Sequence, residues 1–420
     1  MASPSFTPVW HHPRLTEEKS LISNERTRWS IVFAATAAGI AAGLQVGKVP
    51  PAIPAIRESL DIGLVAAGWI ASIFNLTGAT LAIASGLITD HTGARRVVSA
   101  GLLLLALGAF AGSFAEGAIS LLLARTLAGL GLVTIAVASP RLIVSAARPR
   151  DYGLALGIWS IYMPCGMALA MVLAPLFLDT VGWRGFWLAN ALLMVAIWAW
   201  FMWATRSVSP PVVSDGARQR TWRDIAPVIK LPGPWILGAI FGCYALQFFA
   251  MLSWLPTLLI ETQGMAVATA SLLGALAVAA NMIGNLGGAW LMHRHVPRWT
   301  LQLVALVVMA LCAAVVFSAG TPPGWIVPAA FLFSAAGGLL PAATLASSAF
   351  HAPRADQVGT VNGVIVQGAN LGSLSGPPLM ALAVSLAGGW TGTWWLLVIS
   401  GALGMVLIAI LRRVERGLGI

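Results

Sequence analysis

Twelve long apolar runs, separated by short polar segments, constrain this chain more than any other feature. The hydrocarbon core of a bilayer is about 30 Å thick and takes roughly 20 apolar residues per helical crossing. Runs of that length with internal Gly and Pro are predicted to be helices, because each backbone polar group in lipid needs a partner within its own segment. The chain is therefore predicted to be an all-α integral membrane protein with twelve transmembrane helices. The runs lie at about 29–56, 64–88, 97–115, 118–140, 153–178, 186–205, 233–260, 266–292, 300–319, 325–349, 358–386 and 392–411.

Basic residues are concentrated on one predicted side of the membrane. Most of the 24 Lys and Arg lie in the tails and in every second loop, and the other side carries only Lys48, Arg57, Arg125 and Arg184. Cytoplasmic loops of membrane proteins carry such an excess of basic residues. The asymmetry predicts that both termini are cytoplasmic. It also accounts for the net charge of +10, so the predicted partner of the basic residues is anionic lipid of the bilayer and not nucleic acid. Helices rich in Ala, Gly and Trp, with short loops, favour a bacterial inner membrane.

The second half of the chain repeats the first. Asn75-x-x-Gly78 recurs as Asn281-x-x-Gly284, displaced by 206 residues. A polar segment rich in Pro and basic residues separates the halves, so the sequence predicts two pseudo-symmetric six-helix bundles, an arrangement typical of transporters with a site between repeats. Other repeated positions are Gln45 with Gln247, Trp187 with Trp394, and Gly153 and Gly157 with Gly359 and Gly363. The predicted parts are a cytoplasmic tail (1–28), the first bundle (29–205), a cytoplasmic linker (206–231), the second bundle (232–412) and a cytoplasmic tail (413–420).

Two short motifs lie on the first bundle. The loop after the second helix reads Gly86-Leu-Ile-Thr-Asp90-His-Thr-Gly93-Ala-Arg95-Arg96, and the fourth helix carries Arg125-Thr-Leu-Ala-Gly129-Leu-Gly131. The chain resembles the major facilitator superfamily, whose members carry Gly-x-x-x-Asp-x-x-Gly-x-Arg/Lys and Arg-x-x-x-Gly-x-Gly at these places. His91 stands where the superfamily usually has a basic residue. The resemblance implies alternating access between two bundles, with Gly86, Asp90, Gly93, Arg95 and Arg96 as a gating motif; a solvated loop is the alternative.

The fifth helix narrows the resemblance. Its stretch Trp159-Ser-Ile-Tyr162-Met-Pro164-Cys-Gly166, with Lys48 before a Pro-rich segment, is similar to the branch that includes cyanate and nitroimidazole carriers. The Gly-Pro pair followed by a double glycine, the signature of drug antiporters, does not occur in this stretch. Drug efflux is therefore less favoured than facilitated or exchange transport of a small solute.

Lys48 is the charge that most needs an explanation. Trp29 precedes it by 19 residues, about 28 Å of helix, and Arg57 follows about 13 Å further on. This segment is longer than the membrane is thick, so the amine either faces the interior or extends to the outer interface. The resemblance implies that helices one, four, seven and ten line a central cavity, which makes Lys48 and Arg125 candidate anion contacts. For Arg125, bonding to backbone carbonyls of a neighbouring helix is an equal alternative.

Neutral polar and aromatic residues complete the predicted substrate site. The additional candidates are Gln45, Gln247, Trp159, Tyr162, Gln367 and Asn370. Polar side chains also hold membrane helices together, and Trp or Tyr in a helix is often part of the core, so each candidate has a structural alternative. The Gly-x-x-x-Gly pairs of the fifth and eleventh helices, extended by Gly368, Gly372 and Gly376, are expected to let helices pack closely and move.

No carboxylate or histidine falls inside the predicted spans, so a proton as coupling ion would have to use Lys48 or the substrate itself. We therefore predict a secondary-active or facilitative transporter of a small inorganic or organic anion. Drug or metabolite efflux is the alternative, and a membrane receptor without transport is a remote one. No enzyme motif, cofactor, metal or disulfide is predicted, and the superfamily resemblance implies a monomer.

Overall fold

The computed structural model describes residues 26–208, 227–354 and 357–418. Most of the predicted N-terminal tail, most of the central linker and the last two residues of the C-terminal tail lie outside the described residues. The described chain is helical throughout its apolar runs. Its helices are α1 (Trp29–Gly47), α2 (Val49–Leu60), α3 (Leu64–Ser72), α4 (Asn75–Thr92), α5 (Ala94–Ser113), α6 (Ala118–Ala146), α7 (Tyr152–Ser160), α8 (Tyr162–Leu178), α9 (Gly182–Ala204), α10 (Pro232–Gln263), α11 (Val267–His293), α12 (Arg298–Val316), α13 (Pro323–Gly337), α14 (Leu339–Ser347), α15 (Val358–Ala387) and α16 (Trp394–Leu418).

Within the described residues these helices fall into twelve segments, one for each predicted apolar run. Four crossings are broken in the middle: α1 with α2, α3 with α4, α7 with α8, and α13 with α14. Within the described residues, ten segments are long and apolar enough to span a bilayer, and the pair α3 with α4, bent by 44°, makes eleven. The twelfth is α15, which has 30 residues, about 45 Å of helix, long enough to cross a bilayer.

The crossings form two bundles, α1–α9 and α10–α16. We call the end where α1 begins and α16 ends the terminal face, and the opposite end the distal face. Between the bundles, α15 packs on α3 and α4, α11 packs on α8, and α2 packs on α10. Gly68 of α3 lies directly against Pro377 and Pro378 of α15, where a Cβ would come within 2.8 Å of the Pro378 Cα.

Glycines bring α10 and α15 into backbone contact inside the second bundle. A Cβ at Gly368 would fall on the Gly238 carbonyl, and one at Gly372 would fall on the Gly242 carbonyl. Gly376 makes the same kind of contact one turn further on, 2.5 Å from a Cβ to the carbonyl oxygen of Leu246. The expectation of close packing is confirmed for these three glycines.

The same expectation is wrong for the two repeated Gly-x-x-x-Gly pairs in this conformation. A Cβ at Gly153, Gly157, Gly359 or Gly363 would meet no atom of the described chain within 4 Å. These pairs lie in the parts of α7 and α15 that are near the terminal face. A small residue permits close approach only where another helix lies across from it, and here none does.

Candidate functional site

Lys48 occupies the break between α1 and α2. Its backbone is helical (φ −69°, ψ −22°), and Pro50 and Pro51 follow in the first turn of α2. The side chain is enclosed by protein, with 0% of its surface exposed. Among the described residues its Nζ has no hydrogen-bond partner, and it lies 4.2 Å from the centroid of the Trp187 ring on α9. The amine therefore does not extend to the outer interface in this conformation.

Arg125, on α6, connects three helices of the first bundle. Its Nε donates a hydrogen bond to the carbonyl of Ile70 on α3 (3.1 Å), and one terminal nitrogen donates to the carbonyl of Gln45 on α1 (2.5 Å). The guanidinium also stacks over the Phe74 ring, 4.9 Å from its centroid. The backbone-bonding alternative for Arg125 thus has direct geometric support, although its second terminal nitrogen finds no partner in the described chain.

Gln45 lies one turn before Lys48 and is also buried. Neither its amide nitrogen nor its amide oxygen has a hydrogen-bond partner among the described residues. Arg125 lies close enough to Lys48 for the two positive charges to repel each other. We call Lys48, Gln45 and Arg125 the donor cluster. None of the buried polar side chains in the described part of the chain is a carboxylate, so this cluster has an excess of donors and of positive charge.

The predicted aromatic pair lies on the terminal side of the donor cluster. Trp159 and Tyr162 stack on each other with ring centroids 4.3 Å apart and planes inclined by 19°. Both pack against Gly39 of α1, where a Cβ would come within 2.5 Å of the Trp159 ring. Gly39 precedes Lys48 by nine residues, about 13 Å along the helix. The pair is part of the packing between α1 and the α7–α8 crossing.

Gln247, the repeat counterpart of Gln45, faces the interior of the second bundle. It is fully buried, its amide nitrogen donates weakly to the Cys243 carbonyl (3.4 Å), and its Oε1 has no partner among the described residues. That oxygen lies 3.6 Å from where a Cβ would stand at Gly401 of α16. The structure therefore places Gln247 against α16 and apart from the donor cluster.

Gln367 and Asn370 lie where α15 meets α4. Gln367 donates to the Ala79 carbonyl across the two bundles (3.3 Å). Asn370 donates to the Val366 carbonyl of its own helix (2.9 Å), and its side chain fills the space beside Gly78. Both residues thus belong to the contact between the bundles, and neither joins the donor cluster.

The predicted gating motif spans the end of α4 and the start of α5. Gly86 and Asp90 lie on α4, and their side-chain surroundings are outside the described part. Gly93, with φ +90°, makes the turn between the two helices, a conformation that favours glycine. Arg95 donates to the Thr205 hydroxyl (3.1 Å) and the Met202 carbonyl (3.4 Å), which ties this loop to the end of α9, whereas Arg96 is exposed.

An ion pair at the distal face escaped the sequence analysis. Arg57, at the end of α2, contacts Glu261, near the end of α10, at 2.9 Å, and the indole nitrogen of Trp390 donates to the other Glu261 oxygen at 2.8 Å. We call Arg57, Glu261 and Trp390 the distal latch, because they join the two bundles at this face. The sequence did contain a signal for this ion pair. Arg57 is the first charge after Lys48 on the segment of Gln45, and Glu261 is the first charge after the repeat-related Gln247, 204 residues further along the chain.

Comparison with known proteins decides the family. The profile of the Major Facilitator Superfamily matches residues 31–366. The chain belongs to the Major Facilitator Superfamily. The fold agrees: a bacterial homologue of the human lysosomal transporter Spinster, in an inward-facing and unoccupied conformation, superposes with a TM-score of 0.72 at 16% identity, covering 91% of this chain and 94% of that one.

Curated relatives of this superfamily member are carriers of different solutes. The cyanate transport protein CynX of Escherichia coli (strain K12) is 27% identical over 270 residues, 62% of this chain and 66% of that protein. The hexuronate transporter of Bacillus subtilis (strain 168) is 22% identical over 408 residues, 91% and 93% of the two chains. The galactose-proton symporter of E. coli (strain K12) is 24% identical over 175 residues, 42% of this chain and 37% of that one. The matches to the cyanate and galactose proteins thus span less than two thirds of those relatives.

The distal latch gives a prediction for this superfamily member. Replacing Glu261 by Gln removes the ion pair but retains the side-chain volume. Because the two side chains are 29% and 39% exposed, the pair is worth at most about 1 kcal/mol, so the variant should increase the population open at the distal face up to about fivefold. Modification of a cysteine placed at Thr257, which is fully buried one turn before Glu261, by a membrane-impermeant maleimide measures that opening. Glu58→Gln, on the same face, is the control, and an unchanged modification rate in Glu261→Gln would show that the latch does not hold this face closed.

Proposed function

We propose that this protein carries a small inorganic or organic anion across the membrane by alternating access between its two bundles. The observation that carries the proposal is the donor cluster: two buried cations, unbonded N–H groups and no buried carboxylate among the described residues. An unpaired cation inside a membrane protein is costly, and such residues usually mark a substrate or ion pathway.

An anion would supply what the donor cluster lacks. At about 4 Å and an effective dielectric constant near 20, a single negative charge attracts Lys48 by about 4 kcal/mol. The same ligand can accept hydrogen bonds from the unbonded nitrogens of Lys48, Gln45 and Arg125. In this proposal Lys48 is the counter-charge, Gln45 selects the ligand's shape, and Arg125 mainly fixes α1 and α3 relative to α6.

The remaining predicted residues take supporting roles in the proposal. The distal latch holds the bundles together at the distal face, and Gln367 joins them through Ala79 in the terminal half of α15. Trp159 and Tyr162 would line the route from the terminal face, and Gln247 would contribute when the second bundle moves. The loop with Asp90 and Arg95 would gate the terminal face. The proposal puts both termini in the cytoplasm of a bacterium, so that the distal latch would close the outer face.

The relatives support transport of a small solute, but they carry solutes of different charge, so support for an anion comes from the donor cluster. Cyanate and hexuronate, named for two relatives, are anions, whereas galactose is neutral and its carrier is named as proton-coupled. Two buried cations attract anions and repel the apolar cations that many drug exporters carry. The donor cluster therefore favours an anion over the efflux alternative.

Ligand-dependent thermal stability tests this proposal. The purified protein is melted with sodium nitrate, formate, thiocyanate or glucuronate, at constant ionic strength set with a bulky sulfonate salt. Galactose and tetraphenylphosphonium represent the neutral and cationic classes. At ten times its dissociation constant a ligand stabilises the folded form by about 1.4 kcal/mol, so at least one anion should raise the melting temperature of the wild type.

Matched lysine variants make the result specific. Lys48→Met removes the buried amine, whereas Lys230→Met removes an exposed one at the terminal face. General salt effects act equally on both variants, so only the response lost in Lys48→Met and kept in Lys230→Met counts as binding at the cluster. Stabilisation by tetraphenylphosphonium or galactose alone, equal in both variants, would contradict the proposal. Uptake of the stabilising anion into proteoliposomes, with and without a pH gradient, then distinguishes transport from binding and reports proton coupling.

A further inference from the structure

Trp187 is the aromatic residue that faces the buried amine, and the sequence marked it only as a repeated position without a functional role. We propose that Trp187 is a positioning residue, which holds the Lys48 ammonium in place without neutralising it and so determines from which side an anion can approach. This inference rests on the proposed function and deepens it. It concerns a residue that touches the lysine and not the transported solute.

The contact itself is direct. Lys48 Nζ lies 4.2 Å from the centroid of the Trp187 ring, within the distance at which the negative face of an aromatic ring attracts a cation. Both side chains are almost completely enclosed, with 0% and 1% of their surfaces exposed. Attraction between a cation and a ring is strongest when both are removed from water. Among the described residues the Lys48 nitrogen has no hydrogen-bond partner, so its contact with the Trp187 ring is the interaction that positions it.

The ring is held rigidly by its surroundings. Gly112 of α5 packs directly against the Trp187 ring, and a Cβ at Gly112 would come within 2.7 Å of the indole Cδ1. Trp183 packs edge-on at 5.5 Å between centroids, with planes at 88°, and Phe186 packs edge-on at 6.1 Å. Trp183 is itself fixed by a hydrogen bond from its indole nitrogen to the Ser59 hydroxyl (2.7 Å). A fixed ring fixes the position of the amine that it attracts.

A ring and a carboxylate beside Lys48 differ in whether the amine stays free to bind an incoming anion. A carboxylate at this position would neutralise Lys48, and an incoming anion would have to displace it. A tryptophan face orients the amine without adding a negative charge of its own. Because the same face repels anions, a ligand must approach the ammonium from the side away from Trp187.

The second bundle provides a matched control. Trp394 is the repeat counterpart of Trp187, and the repeat that aligns Gln45 with Gln247 puts Ala250 at the position of Lys48. Trp394 is 38% exposed. Trp394 is therefore a control: it occupies the equivalent position in the second bundle, where the repeat has no lysine for it to contact.

The test measures dissociation constants for the four anions named above by thermal stability. Trp187→Leu and Trp187→Met, which lack a ring, should weaken binding about tenfold, whereas Trp187→Phe and Trp187→Tyr should stay within about threefold of the wild type. Trp394→Leu should leave the dissociation constants unchanged. In a Lys48→Met background, Trp187→Leu should have no further effect on the response to anions.

The outcomes separate this inference from the proposed function. A wild type that responds to none of the anions overturns the proposed function and with it the role of Trp187. A wild type that responds through Lys48 but binds equally well in Trp187→Leu overturns this inference alone. An equal loss in the Leu, Met, Phe and Tyr variants would show that Trp187 serves packing only. If one ringless variant cannot be isolated, the other supports the same comparison with Trp187→Phe.

Discussion

Valine in place of Gly372 should prevent the second bundle from assembling. The new Cβ would fall on the carbonyl oxygen of Gly242, an atom of a helix backbone that cannot rotate away. Overpacking a core typically costs about 1–3 kcal/mol, and we expect the upper end or more here because two backbones must separate. Gly368 and Gly376 make the same kind of contact along α15, so a shift at Gly372 would disturb all three. Recovery of monodisperse protein after membrane extraction, and its melting temperature, measure the effect.

Gly363→Val is the matched control on the same helix. Gly363 precedes Gly372 by nine residues, and a Cβ there would meet nothing within 4 Å in the described chain. Valine is no worse than glycine in a helix, so this variant should fold and melt like the wild type. Equal losses in both variants, or none in Gly372→Val, would show that the contact between α10 and α15 is not the reason for these glycines.

The global fold was predictable because membrane physics leaves few solutions. Apolar runs of sufficient length must be helices, and the repeats of Asn75-x-x-Gly78 and Gln45 indicated two related bundles. Within the crossings the sequence was less informative. The first run, predicted as one helix over 29–56, is divided at Lys48, and three other crossings are divided as well. Backbone angles at Lys48 and Ile161 remain helical, but Pro50 and Pro51 in the first turn of α2, and Pro164 in the first turn of α8, were signals that the prediction did not use.

The resemblance to the superfamily put Lys48 and Arg125 on two helices that line one cavity. The direction in which each side chain points was not predictable. Helices that are apolar on all sides have no amphipathic stripe to indicate which face meets a cavity and which meets a neighbouring helix. Gln247, Gln367 and Asn370 were selected as polar residues in apolar helices, and the fold distributes them to other contacts. Trp187 is one of 18 tryptophans, and its contact with an amine on another helix leaves no trace in local sequence.

Methionine in place of Lys48 should make the protein without ligand more stable, while the same change at Arg125 should make it less stable. The Lys48 amine is buried with no hydrogen bond among the described residues and is repelled by Arg125. Replacing buried charges by apolar groups of similar volume often stabilises a protein by about 1–4 kcal/mol. Loss of the contact with Trp187 offsets part of this, so we expect a net gain of about 1 kcal/mol or more.

Arg125 differs because its charge is used. Its hydrogen bonds to the carbonyls of Ile70 and Gln45 join α3 and α1 to α6, and hydrogen bonds to charged groups are worth about 1.5–3 kcal/mol each. The two bonds together are worth about 3–6 kcal/mol, and removal of a buried charge returns part of this, so Arg125→Met should lower the free energy of unfolding by about 2–4 kcal/mol. Unfolding in a series of mild detergent and SDS mixtures, in the absence of candidate anions, measures both variants on one scale.

The sign of the Lys48 result carries the functional argument. A residue that stabilises the fold is expected to cost stability when removed, whereas a residue retained for binding at the expense of stability is expected to increase it. Destabilisation by Lys48→Met similar to that of Arg125→Met would mean that the amine is a structural part of the first bundle, and the anion proposal would lose its main support. Stabilisation together with loss of the anion response would show that the protein keeps an unfavourable buried charge because its ligand requires it.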